Sequence, residues 1–134
     1  MVNGRKSLKI DDVTIPSEWP YSIACAIFGI SKEMVNDYSF PEDLELSIEH
    51  VFRMIESDTS KPIPNLSRNI QILRLYFKEG YTLNKIANTY GISTIRVRQI
   101  IVRWLRILRH PSKAKYIKYG ISAIDKKEET CKEN

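Results

Sequence analysis

Leu44, Ile48, Val51, Phe52 and Ile55 recur three and four residues apart, the period of one face of a helix. The stretch "SFPEDLELSIEHVFRMIES" therefore predicts a helix with Pro41 in its first turn and Glu42, Asp43 and Glu45 near its positive end. Leu66, Ile70, Leu73 and Phe77 predict a second amphipathic helix, stopped at Gly80. Between the two lies "DTSKPIPN" (58–65), a linker of prolines and small polar residues. Upstream, Tyr21 to Phe28 reads as a short buried helix ended by Gly29, with Trp19, Tyr21 and Phe28 filling its joint with residues 42–56. Residues 1–15 are polar and read as loose. Pro16 and Pro20 bracket Trp19 and point to an extended or turned segment. The end of the chain from Ile124, "IDKKEETCKEN", is charged and reads as frayed.

The pattern between Gly80 and Ser112 is the most informative. Thr82 is a good N-cap, and Leu83, Ile86, Ala87 and Tyr90 share one helical face. Gly91 supplies a positive-φ stop, and Ser93 is a fresh N-cap. The helix that follows carries Val97, Ile100, Ile101, Trp104 and Leu108 on one side. Two short helices joined by a tight glycine turn make a helix-turn-helix. Ala87, four before Gly91, leaves room for the helices to cross closely. Val97, six after it, locks the second helix on the first.

Charge sharpens this picture. Residues 1–60 hold eleven acids and five bases; residues 61–134 hold sixteen bases and five acids. Between Gly80 and Ile124 there are nine bases and no acid. A solvated basic face is the bland explanation. Together with a helix-turn-helix, the asymmetry points to a polyanion, double-stranded DNA. Ile95, Gln99, Val102 and Arg106 lie opposite the apolar stripe, flanked by Arg98, Arg103 and Arg109. Gln99 suits an adenine edge, and Arg98 a guanine or a phosphate. The later arginines suit phosphates, which set register without reading sequence. Ile95 and Val102 have two readings: contact with a thymine methyl, or packing on another segment of the chain. Trp104, on the apolar stripe, reads as core.

Other chemistry is poorly supported. There is no glycine-rich phosphate loop, no HExxH and no nucleophile elbow, so an enzyme is not expected. No metal site, cofactor or small-molecule substrate is implied, since His50, His110, Cys25 and Cys131 are isolated from one another. Two distant cysteines suit a reduced, cytoplasmic protein. The longest apolar run, Ile23 to Ile30, is far short of a membrane span, and the start of the chain does not read as a signal peptide. One echo stands out: "CAIFGISKEMV" (25–35) repeats the spacing of "ANTYGISTIRV" (87–97). It reads as a core-building helix bracing residues 42–56 rather than as a second DNA-reading motif, because "NDYSFP" ends any recognition helix at once.

The stretch "LRLYFKEGYTLNKIANTYGISTIRVRQIIVRWLRILRHPS" resembles region 4 of the sigma-70 family of bacterial RNA polymerase initiation factors. The resemblance rests on Leu73 to Phe77, Gly80, Thr82, Leu83, Ile86, Ala87, Gly91, Ser93, Arg96 to Ile100 and Leu105 to Ser112; "RVRQI" followed by "LRHPS" is its most specific part. It covers about residues 66–118. It implies binding of the promoter −35 element as duplex DNA and docking on the flap of the polymerase β subunit. The chain departs from the family where the recognition helix opens. The family has Arg and Glu there, and this chain has Thr94 and Ile95. Lys85 and Ile101 also stand where Glu is common. Residues 1–41 are too short and too acidic to be the family's −10 melting domain.

The expected fold is all-α, a small helical bundle with a C-terminal helix-turn-helix of sigma region 4 type. Residues 1–41 form an arm and bracing helix, 42–118 the region 4-like domain, and 119–134 a charged flexible tail. The recognition helix is 93–109. The expected DNA-binding residues are Thr82, Ser93, Thr94, Ile95, Arg96, Arg98, Gln99, Val102, Arg103 and Arg106. The function expected is that of a DNA-binding transcription factor. The alternatives are a module that docks polymerase or another protein with little DNA selectivity, and a stand-alone helix-turn-helix repressor.

Overall fold

The computed structural model describes residues 7–10, 13–60 and 62–124. They are mostly helical, around one hydrophobic core. The helices are α1 (Tyr21–Phe28), α2 (Leu44–Ser57), α3 (Leu66–Phe77), α4 (Leu83–Tyr90), α5 (Thr94–Arg109) and α6 (Pro111–Tyr119). A 3-10 turn spans Val35–Asp37.

The first departure from the sequence expectation is a β-hairpin. Strands β1 (Ser7–Ile10) and β2 (Val13–Pro16) pair antiparallel, Ser7 opposite Pro16 and Ile10 opposite Val13. Within the segment expected to be loose, residues 7–10 and 13–15 are thus in paired strands, and residues 1–6, 11 and 12 lie outside the described residues. "LKI" and the β-branched run "VTI" lie on either side of Asp-Asp, a hairpin pattern too short to stand out. It persists because Ile15 is fully buried and β2 packs on α1.

Helix α1 is buried on nearly every side, from Ser22 to Ile27, as a helix without a polar face must be. Gly29 ends it with φ 69°. The buried Ser22 hydroxyl donates to the Phe77 carbonyl (2.9 Å), tying α1 to the end of α3. Cys25 lies within α1, and burial pushes its thiol pKa up to about 11, which makes it a poor nucleophile. Helix α1 packs mainly on β2 and α5, not on residues 42–56. The expected joint is also differently built: Tyr21 is exposed, while Trp19 reaches α2 by donating its indole N–H to Glu45 (2.8 Å). After Gly29 the chain forms turns and the 3-10 element instead of a helix. The echo of the helix-turn-helix is therefore one helix and a stop.

Helix α2 starts later than expected. Pro41 lies outside it, and Glu45 is the one acid in its first turn. Asp43 and Ser47 are engaged elsewhere. Ser47 Oγ donates to the Asp43 carbonyl (2.8 Å) and accepts the Ile121 N–H (3.0 Å), and Asp43 Oδ2 accepts the Ser122 N–H (3.1 Å). These bonds dock the chain beyond α6 onto α2, so residues 119–124 are not free tail; the charged residues 125–134 lie outside the described residues. Gly120 makes this approach possible. Its φ is +90°, and a Cβ there would fall on the Asp43 carboxylate and within 3.0 Å of Pro41 Cβ. Gly120→Ala is expected to lower the urea midpoint, with a cost of about 1–3 kcal/mol. A midpoint equal to the parent's would contradict the docking.

Arg74 of α3 forms a two-pronged ion pair with Glu49 of α2. Its guanidinium holds the Glu49 carboxyl below the usual carboxylate range. This pair and the apolar faces of α2 and α3 form the platform on which the last three helices rest.

Candidate nucleic-acid interface

The helix-turn-helix forms as its caps require. Thr82 Oγ1 accepts the Lys85 N–H (3.1 Å) at the start of α4. Gly91 ends α4 with φ 65°. No atom lies within 4 Å of where its Cβ would be, so the turn needs glycine for its dihedral and not for space. Ser93 Oγ then accepts the Arg96 N–H (3.0 Å) and starts α5. Ala87 and Val97 are both buried where the helices cross. Ile100, Ile101, Trp104, Leu105 and Leu108 complete the core face of α5.

The opposite face of α5 is open. Ile95, Arg96, Arg98, Gln99, Arg103 and Arg106 are exposed, and Val102 is half-buried. Arg98, Gln99, Val102, Arg103 and Arg106 line a shallow depression of about 290 Å³. The guanidinium is a cationic fork of five N–H donors with no acceptor. With no acid between Gly80 and Ile124, no neighbour along this stretch of chain offsets these charges. Thr82 and Ser93 lie at the same end, with their side-chain oxygens committed to the caps.

Two placements go beyond the sequence reading. The Thr94 hydroxyl donates to Asn84 Oδ1 of α4 (2.8 Å). This bridges the two helices at the mouth of the motif and leaves the Asn84 amide N–H groups at the surface. Asn84 was missed because its only signal is its place on an exposed face in the first turn of α4, ten residues before Thr94. Lys85 lies nearby, its ammonium 4.0 Å from the centre of the Tyr81 ring. Arg109 is a correction. Its guanidinium donates to the Ile27 (2.6 Å) and Ala26 (3.0 Å) carbonyls. A cation at the C-terminal end of α1 satisfies carbonyls that have no helical partner. Arg109 is thus a clamp between α1 and α5, with two of its donor nitrogens committed to these carbonyls rather than to a phosphate.

That assignment has a distinctive consequence. Arg109→Ala is expected to cost about 1–3 kcal/mol of stability, since charge-assisted bonds are lost. The slope of log affinity against log salt for a DNA duplex is expected to stay at the parent's value, read by fluorescence anisotropy. A slope reduced by about one unit would make Arg109 a phosphate contact after all.

Among the described residues there is no cluster of His, Cys, Asp or Glu able to hold a metal, and no helix long and apolar enough to cross a membrane.

The sigma-70 region 4 family matches residues 67–110, the span from α3 to the end of α5. Residues 67–110 form a sigma-70 region 4 domain. The chain is also distantly similar to the RNA polymerase sigma factors SigA of Listeria monocytogenes and Listeria innocua. Each is 26% identical over 116 residues, covering 82% of this chain and 31% of the relative. The chain thus spans about a third of the length of these curated relatives. No solved structure matches it. The region 4 domain is a transcription-related, DNA-binding type, and such domains are typically non-enzymatic.

Proposed function

We propose that this protein binds promoter duplex DNA, at a −35-like element, and docks on RNA polymerase through its region 4 domain. The observation that carries this is the open face of α5. Arg98, Gln99, Arg103 and Arg106 stand exposed on a helix whose other side is sealed into the core, and that helix lies in a region 4 domain. In a helix-turn-helix the second helix enters the major groove and its first residues meet base edges. Thr94, Ile95, Arg96, Arg98 and Gln99 take that place here. Val102, Arg103 and Arg106 follow the groove outward, where arginines meet phosphates. Thr82 and Ser93 bring two helix N-termini to the same surface, where backbone N–H groups favour a phosphate.

The polymerase part rests on the similarity to sigma factors. The test is a pull-down of the tagged protein from its host, with nuclease added to remove DNA bridges, probed for the core subunits. Polymerase retained after nuclease supports docking on the β subunit flap. Polymerase absent, with duplex binding intact, would leave a free-standing regulator instead. A purely protein-docking role for α5 is less well supported. The face is uniformly basic, with its apolar side chains separated rather than joined into a patch.

A further inference from the structure

We infer that Ile95, with Val102 behind it, reads the C5 methyl groups of thymines, so that apolar contact chooses the target at the opening of the recognition helix. This rests on the proposal that α5 enters the major groove.

Ile95 is 71% exposed, more than any other large hydrophobic side chain among the described residues. Of the two readings of Ile95, packing on another segment of the chain is therefore not met among the described residues. Ile95, Gln99 and Val102 follow one another at four and three residues, so they share a stripe. Arg96 flanks this stripe on one side and Arg98 on the other. The apolar side chains are thus separated by Gln99 and surrounded by cations. A protein partner would want them contiguous, because docking surfaces join apolar atoms into a patch. Single apolar side chains set among cations fit a polyanion that itself carries isolated apolar groups. The thymine methyl is the apolar group on the major-groove edges, where the other groups are hydrogen-bond donors and acceptors.

The neighbours are consistent with this. Thr94, next to Ile95, spends its hydroxyl on Asn84, so it offers no donor proton to a base. The Asn84 amide N–H groups suit a phosphate oxygen beside the base. Gln99, one turn on, can accept and donate at an adenine edge, which pairs with the thymine being read. Ile95 and Val102 are seven residues apart, about 10 Å along the helix. The contacted thymines are therefore expected within about three base-pair steps of each other, either strand counting.

The test starts with a selection from random-sequence duplexes, using the full chain. The selected duplex is then made with thymine and with deoxyuridine, which lacks only the methyl. Both forms are titrated with the parent and with Ile95→Ala, across salt. Because Ile95 is exposed, the variant is expected to keep the parent's melting curve. Deoxyuridine should weaken the parent about four-fold per contacted methyl. Ile95→Ala should be weaker on thymine DNA and nearly indifferent to its replacement. Equal affinity of the parent for both duplexes, with steep salt dependence intact, would overturn the inference and leave DNA binding standing. An equal loss in parent and variant would also overturn it, since another group would then read the methyl. A selection returning no thymine-containing motif does the same. No salt-dependent binding to any duplex would remove the DNA proposal and this inference with it.

Discussion

Trp104→Ala is expected to leave the helix-turn-helix unable to hold its shape. Trp104 is 1% exposed, the largest of the fully buried side chains. It lies on the α5 face that carries Val97, Ile101, Leu105 and Leu108. Replacing a buried tryptophan by alanine removes the transfer free energy of the ring and leaves a cavity, a loss of about 3–5 kcal/mol. A domain of this size has only about 5–15 kcal/mol in total. The urea midpoint, followed by circular dichroism, should fall by a large fraction. A control, Leu46→Ala, is 60% exposed and should change stability by no more than about 0.5 kcal/mol. A Trp104→Ala chain as stable as the control would mean that α5 is not seated as described. The same variant is expected to lose DNA binding, because a helix that does not pack cannot present its other face.

The second large effect concerns function without stability. Arg103 and Arg106 are both exposed, so changing them together to alanine should leave the melting curve in place. Their guanidinium groups are expected to neutralise phosphates. Each lost phosphate contact lowers the slope of log affinity against log salt by about 0.9. The double variant should therefore show a slope smaller by about two units. At about 0.1 M salt its affinity should fall on the order of ten- to a hundred-fold. Anisotropy with a labelled duplex at several salt concentrations reads both quantities. An unchanged slope would remove these two residues from the phosphate contacts. This behaviour contrasts with that expected for Arg109→Ala, where stability falls and the slope holds.

That contrast also shows what was legible in the sequence. The helix-turn-helix was readable because its constraints are local. Gly91 must adopt a left-handed turn, Ala87 must be small, Val97 must be apolar, and all three fall within eleven residues. The amphipathic faces of α2 and α3 were readable for the same reason, through their period. What failed was what depends on distant partners. Arg109 looks like its neighbours in sequence, yet its partners are carbonyls 82 and 83 residues away. Asp43 looks like part of a helix start, yet its carboxylate meets Ser122, 79 residues on. The hairpin was missed because four-residue strands carry too little alternation to rise above chance; burial of Ile15 against α1 supplies what the local pattern lacks. In the candidate site, the exposed arginines and Gln99 were read from the helical projection alone. Asn84 was not, since its importance comes from its contact with Thr94 across the turn.

The central claim is that the open face of α5, at the mouth of the helix-turn-helix, is the surface that meets DNA. The most direct test is to add a duplex to isotope-labelled protein and map which backbone amide signals move. The account predicts that the shifts gather at Thr82 to Lys85 and from Ser93 to Arg106. Signals of α1, the hairpin and Arg109 should stay in place. Shifts centred on α6 or on the aromatic surface around Tyr21 and Phe40, with α5 unmoved, would contradict it.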